Sequence, residues 1–256
     1  MLKILRSQNW GNKQEIAFLK HEFEVVHKID DPTVVRVFEF NIEGKIGYLV
    51  LELFTDLNMK QFMRERGRDR ILVNFKKIAQ QCFTSLQRLH EQKWVHCDIK
   101  PDNFLMNEDS EVKLIDFAIA QKSTRGTLTS MFRKRVRIQG TRSYMSPEQI
   151  RGEALDGRTD IYSLGCVFYE FLTGKLPYTG TSPNDLLNNH LRAPIPSAQV
   201  HNDNISARLN TLLAGMMAKD PDNRPASMSE VSRQFSTLKR PFKQAPTLDS
   251  TDDDSN

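Results

Sequence analysis

The segment Val95-His96-Cys97-Asp98-Ile99-Lys100-Pro101-Asp102-Asn103-Phe104-Leu105, followed by Leu114-Ile115-Asp116-Phe117-Ala118, constrains this chain more than any other feature. It sets a carboxylate (Asp98), a cation (Lys100) and two oxygen-bearing side chains (Asn103, Asp116) close together in sequence. Between them lie a turn-forming Lys-Pro-Asp-Asn and a short apolar strand pattern. Phosphoryl transfer needs that combination. A carboxylate orients the attacking hydroxyl, oxygen ligands hold Mg²⁺, and a positive charge meets the migrating phosphoryl group.

The rest of the composition is compatible with such an enzyme and excludes several alternatives. At 256 residues, 39% hydrophobic and 27% charged, the chain has enough core for one large domain or two small lobes. A net charge of +4 suits nucleotide phosphates or an acidic substrate, but no clustered basic face marks a nucleic-acid binder. The three cysteines (Cys82, Cys97, Cys166) are widely spaced and include no Cys-x-x-Cys pair, which points to a reducing compartment and away from structural zinc. The N-terminal Met1 to Leu5 run is broken by Arg6 and Asn9, and no apolar stretch is long enough to span a bilayer. A cytoplasmic chain with no membrane segment is expected.

Periodicity outlines the elements. Apolar Ile16, Leu19, Phe23, Val26 and Ile29 predict an amphipathic helix over 14–29, ended by Asp30-Asp31-Pro32. Strands over 34–40 and 47–53, joined at Glu43-Gly44-Lys45, read as a hairpin. Helices are expected over 59–66, stopping at Gly67, and over 73–92. Further helices are expected over 159–173, 184–191, 206–218 and 227–238, the last opened by a capping box, Ser227-Met228-Ser229-Glu230. The division is a small β-plus-one-helix unit over 1–54, a larger helical unit over 55–240, and a disordered acidic tail over 241–256.

Together these motifs and this order resemble the protein kinase family, most closely the bacterial serine/threonine kinases, over roughly 1–238. The resemblance implies an α+β, two-lobe fold with a truncated N-lobe and a mainly helical C-lobe. It implies ATP and Mg²⁺ as cofactors and a protein substrate. Asp98 would be the catalytic base and Lys100 would contact the transferred group. Asn103 and Asp116 would hold the metal. Lys3 would grip the nucleotide phosphates while paired with Glu22, nineteen residues on. Glu52, Phe54 and Leu105 complete the implied nucleotide site. His96, Phe117, Val26 and Val37 are expected to stack as an internal spine. Gly140-Thr141-Arg142-Ser143-Tyr144-Met145-Ser146-Pro147-Glu148 resembles the family's peptide-binding loop. There Thr141 would bond near Asp98, Glu148 would pair with Arg224, and Asp160 would anchor the catalytic loop.

The chain also departs from the family pattern. Only two residues precede Lys3, so no Gly-x-Gly-x-x-Gly stands before it, and an N-terminally shortened kinase is expected. Cys97 stands where the family has an arginine, and Ala118 where it has a glycine. Ser123, Thr124, Thr127, Thr129 and Ser130 are candidate phosphorylation sites, and Arg133-Lys134-Arg135-Val136-Arg137 a candidate acid-binding run. A pseudokinase or scaffold is the alternative reading. A small-molecule phosphotransferase is a third, against which the segment 140–148 argues.

Overall fold

A computed structural model of the protein describes residues 1–124 and 140–248. The expected sites Thr127, Thr129, Ser130 and the basic run 133–137 lie outside the described residues.

The first lobe is a three-stranded antiparallel sheet backed by one helix. β1 (Leu2–Ile4) pairs with β3 (Ile46–Leu51), and β3 pairs with β2 (Val37–Glu43), leaving β1 at the edge. The β2–β3 connection turns at Gly44, whose φ of 58° is costly for any residue with a Cβ. Helix α1 (Lys13–Val26) begins where the Asn12 side chain accepts from the amides of Gln14 and Glu15. Its apolar face buries Leu19, Val25 and Val26 against the sheet. The hairpin starts later than its apolar run predicts. Val34 instead bridges Leu114, and the Val35 amide donates to Leu114 O, so those residues tie the lobes together.

The second lobe is helical. After a short β4 (Leu57–Asn58), α2 (Met59–Arg66) is followed across Gly67 (φ 81°) by α3 (Arg68–Val73), α4 (Phe75–Glu91) and a short β5 (Trp94–Val95). The periodicity missed α3, because its one-and-a-half turns are too short to show a repeat. Helix α6 (Gly157–Thr173) is buried on every side, from Thr159 to Tyr169 without a break, as expected of a helix apolar around its circumference. Its Gly165 is required by close packing, since a Cβ there would approach Met217 Cγ at 2.9 Å. Around α6 pack α4, α8 (Ala207–Met216) and α9 (Met228–Ser236), with Phe75, Phe83, Phe168 and Phe235 meeting edge to face. Helices α5 (Pro147–Arg151) and α7 (Pro183–Arg192) flank the site.

Two expectations need correction. At α9 the Ser227 hydroxyl accepts from the Glu230 amide, but the Glu230 carboxylate reaches the amide of Ala226 rather than that of Ser227. The capping box is therefore only half formed. The tail expected to be disordered from 241 is packed at its start. Phe242 is buried against Phe75, and Pro241 O and Lys243 N bond to Ser206 N and Asn204 O. One aromatic ring supplies the burial that the acidic composition lacks. Residues 249–256 lie outside the described residues. Among the described residues no helix is long and apolar enough to cross a membrane.

Candidate active site

The site is built on a hairpin. β6 (Phe104–Met106) pairs antiparallel with β7 (Val112–Leu114), with Phe104 opposite Leu114. That register sets the residue before β6, Asn103, against the residue after β7, Ile115, whose amide donates to Asn103 O at 3.0 Å. Asp116, one residue further, is thus carried beside Asn103, and Asp98 lies just upstream. This is how two motifs separated in sequence form one site.

Asp98 is held by several groups at once. Its carboxylate accepts from Lys100 Nζ at 2.6 Å, from Thr141 N and Oγ1 at 2.8 and 3.0 Å, and from Asn103 Nδ2 at 3.3 Å. Burial alone would raise this carboxyl, but the Lys100 and Thr141 hydrogen bonds outweigh it and hold Asp98 below the ordinary carboxylate range. Asp98 is therefore an acceptor at neutral pH.

The backbone leading to Asp98 is fixed with equal redundancy. The fully buried Asp160 on α6 accepts from His96 N (2.8 Å), Cys97 N (3.0 Å) and His90 Nε2 (2.8 Å). His96 Nδ1 accepts from Asp98 N and Nε2 faces Ile115 O at 3.2 Å, a pattern that puts the ring proton on Nε2. Its ring meets Phe117 edge-on at 5.1 Å. Val26, Val37, His96 and Phe117 are all buried.

Cys97 and Asp116 both have left-handed backbone, φ 69° and 66°. Such angles cost non-glycine residues roughly 1–3 kcal/mol each and persist only where the surroundings enforce them. For Cys97 the enforcement is visible. Asp160 holds its amide, Gln149 Nε2 donates to its carbonyl at 2.8 Å, and Gly140 passes so close that a Cβ would lie 2.9 Å from that carbonyl. In the loop after β7, Asp116 and not Ala118 takes the positive φ.

On the opposite wall, β1 delivers Lys3 and α1 delivers Glu22. Lys3 Nζ lies 2.9 and 2.7 Å from the two carboxylate oxygens of the buried Glu22, and 3.3 Å from Asp116 Oδ1. Burial disfavours the ammonium charge, yet Glu22 and Asp116 outweigh it and hold Lys3 above its ordinary range. The register of β6 and β7 also gathers the remaining nucleotide candidates. Leu105 sits opposite Lys113, whose Nζ is 2.9 Å from the Glu52 carboxylate and 5.7 Å from the centre of the Phe54 ring. Glu52 also accepts from Arg36 N, so its carboxylate is taken up by the protein.

Hard oxygen donors suit Mg²⁺. Asn103 directs its amide nitrogen to Asp98 O at 2.8 Å, which leaves its side-chain oxygen as the atom a cation would meet. With Asp116 this makes two oxygen donors, and the ion would complete its shell with phosphate and water. Among the described residues no three of His, Cys, Asp and Glu group to hold a metal by protein ligands alone.

A clamp outside the cleft holds the loop that carries Thr141. Glu148, at the start of α5, meets Arg224 at 2.7 and 2.8 Å, and both are buried. Thr159 Oγ1 donates to Glu148, while Arg224 donates to Ala218 O and Arg158 O and lies over the Tyr162 ring. The fifth guanidinium proton goes to Lys219 O at 3.3 Å, so every one finds an acceptor.

The sequence assigns no individual role to Gln149, Gly140 or His90, although Gly140 opens the segment read as a peptide-binding loop. Gln149 directly follows Pro147-Glu148, and that adjacency is the one signal that could have flagged it. Of the candidate phosphorylation sites among the described residues, Thr124 is buried and its amide donates to Leu155 O, which removes it from the surface.

Known proteins are similar to this chain in sequence. A probable serine/threonine-protein kinase of Clostridium acetobutylicum is 30% identical over 94% of this chain and 36% of its own length. Serine/threonine-protein kinase PrkC of Bacillus subtilis is 29% identical over 92% of this chain and 36% of its own. Serine/threonine-protein kinase PknB of Mycobacterium tuberculosis is 31% identical over 90% of this chain and 37% of its own. The chain spans about a third of the length of these curated relatives. A protein kinase domain is matched over residues 1–236, which take in both lobes and every side chain of the cleft, and the chain belongs to the protein kinase family.

Proposed function

We propose that this chain transfers the γ-phosphoryl group of ATP to a serine or threonine hydroxyl of a protein. One observation carries the reading: Lys100, Thr141 and Asn103 converge on Asp98, while Lys3 and Glu22 of the facing wall form a charged triad with Asp116 across the cleft.

In this reading Asp98 accepts or orients the proton of the substrate hydroxyl, and its lowered pKa keeps it ready to do so at neutral pH. Lys100, fixed by both Asp98 and Thr141, offers its remaining donor capacity to the transferred group. Lys3, oriented by Glu22, contributes a positive charge to the nucleotide phosphates. Leu105 and Phe54 offer apolar surface to the adenine, and Glu52 offers its backbone carbonyl, since its carboxylate is engaged by Lys113 and Arg36 and its amide donates to Arg36 O. Asn103 and Asp116 would hold Mg²⁺, which when bound neutralises phosphate charge. Catalysis of this type is positioning and electrostatics, and the redundancy around Asp98 is the kind of preorganisation that it demands.

The test is phosphate transfer from Mg-ATP to a generic protein substrate by the purified chain and by Asp98→Asn. The wild type should label the substrate and the variant should not. Equal labelling defeats the enzymatic reading and leaves a scaffold that binds partners through the helical lobe.

A further inference from the structure

We infer that Arg142 recognises an acidic or phosphorylated residue beside the acceptor hydroxyl of the protein substrate, an inference that rests on the phosphotransfer reading above. Thr141 bonds Asp98 through both its amide and its hydroxyl, so the next residue, Arg142, emerges directly beside the proposed base. Its side chain is exposed and enters no ion pair among the described residues.

Arg142 lines a cavity of about 730 Å³ that runs from Gly140 and Thr141 to the loop at Gly180, Thr181 and Ser182 before α7. Among the described residues no aspartate or glutamate lines that cavity, and Arg142 is the one side chain in its wall with a formal charge. The nearest acid on α7, Asp185, is taken up locally, where its carboxylate accepts from Thr181 N and Oγ1 at 2.9 and 3.2 Å. Around the guanidinium the wall offers hydroxyls and backbone, none of which cancels its charge.

A polypeptide whose hydroxyl reaches Asp98 must lay its neighbouring residues along this wall. An extended substrate advances about 3.3 Å per residue, close to the roughly 3.8 Å between the Cα atoms of Thr141 and Arg142. Arg142 therefore meets the residue one or two positions from the acceptor. A planar guanidinium with a fork of donors matches a carboxylate or phosphate in two-point contact, which a lysine cannot reproduce.

The experiment compares serine peptides with Glu, phosphoserine, Ala or Lys at the positions flanking the acceptor, one flank at a time. It reads kcat/KM with wild type, Arg142→Ala and Arg142→Glu. On one flank the wild type should favour Glu over Lys by about tenfold. That ratio should collapse towards one in Arg142→Ala and reverse in Arg142→Glu. An equal Glu-to-Lys ratio in wild type and Arg142→Ala overturns the inference and leaves phosphotransfer standing. A uniform fall on all peptides in Arg142→Ala also overturns it, since Arg142 would then serve its own chain. If no peptide is labelled above the Asp98→Asn background, both readings fall.

Discussion

The two walls of the cleft are held in different ways. On the large-lobe wall Asp98 is bonded by Lys100, Thr141 and Asn103, and the backbone before it is fixed by Asp160 and Gln149 from two helices. On the small-lobe wall Lys3 stands on a three-residue edge strand between exposed Leu2 and Ile4, and its position depends on Glu22 and Asp116. The difference teaches where each function is secured. The proposed proton acceptor is held by a redundant set of hydrogen bonds on a core-anchored loop, whereas the proposed phosphate-holding cation is set by two ion pairs that join a strand, a helix and the loop carrying Asp116. Damage to the first wall should remove rate or fold. Damage to the second should remove nucleotide affinity.

The largest expected effect is on the first wall. Asp98→Asn keeps the shape but loses the acceptor, and phosphate transfer should fall by about 10²- to 10⁴-fold in a single-turnover assay. Next is the clamp beneath it. Glu148→Ala or Arg224→Ala leaves a buried charge unpaired and should lower stability by about 3–5 kcal/mol in urea unfolding. A loss under about 1 kcal/mol would break the claim that this wall is core-anchored.

The same wall should show a pH signature. His190 is buried, with its Nδ1 3.0 Å from the Tyr162 hydroxyl and its ring against Tyr178, and Lys219 stands nearby. Burial, then the Lys219 charge, drives its imidazole from 6.5 down to about 4. Between those values the unfolded chain binds more protons than the folded one, so stability falls as pH drops. The loss approaches about 3 kcal/mol below pH 4, and His190→Gln should flatten that slope. The smallest effect belongs to the other wall, where Glu22→Gln should weaken Mg-ATP binding by about tenfold with little change in unfolding midpoint.

The parts of this account that were legible in the sequence share a physical property: their partners lie within one motif or one helical period. Asp98, Lys100 and Asn103 sit in one turn, and the buried face of α1 repeats at helical spacing. Residues whose partners are distant could be placed only by resemblance, as Lys3, Glu22 and Asp160 were. Where the resemblance assigned nothing, they stayed invisible. Gln149 meets Cys97 across 52 positions and His90 meets Asp160 across 70, and neither carries a local pattern that betrays the contact. The misplaced start of β2 has the same cause, because Val34 and Val35 satisfy their strand tendency against Leu114 of the other lobe.

The division of labour between the walls is tested most directly by calorimetric titration of Mg-ATP into wild type, Asp98→Asn and Glu22→Gln, with phosphate transfer measured on the same preparations. Asp98→Asn should bind Mg-ATP within about twofold of wild type while losing transfer, and Glu22→Gln should bind about tenfold more weakly. If Asp98→Asn loses nucleotide binding while Glu22→Gln retains it, the two walls do not divide the work as their geometry implies.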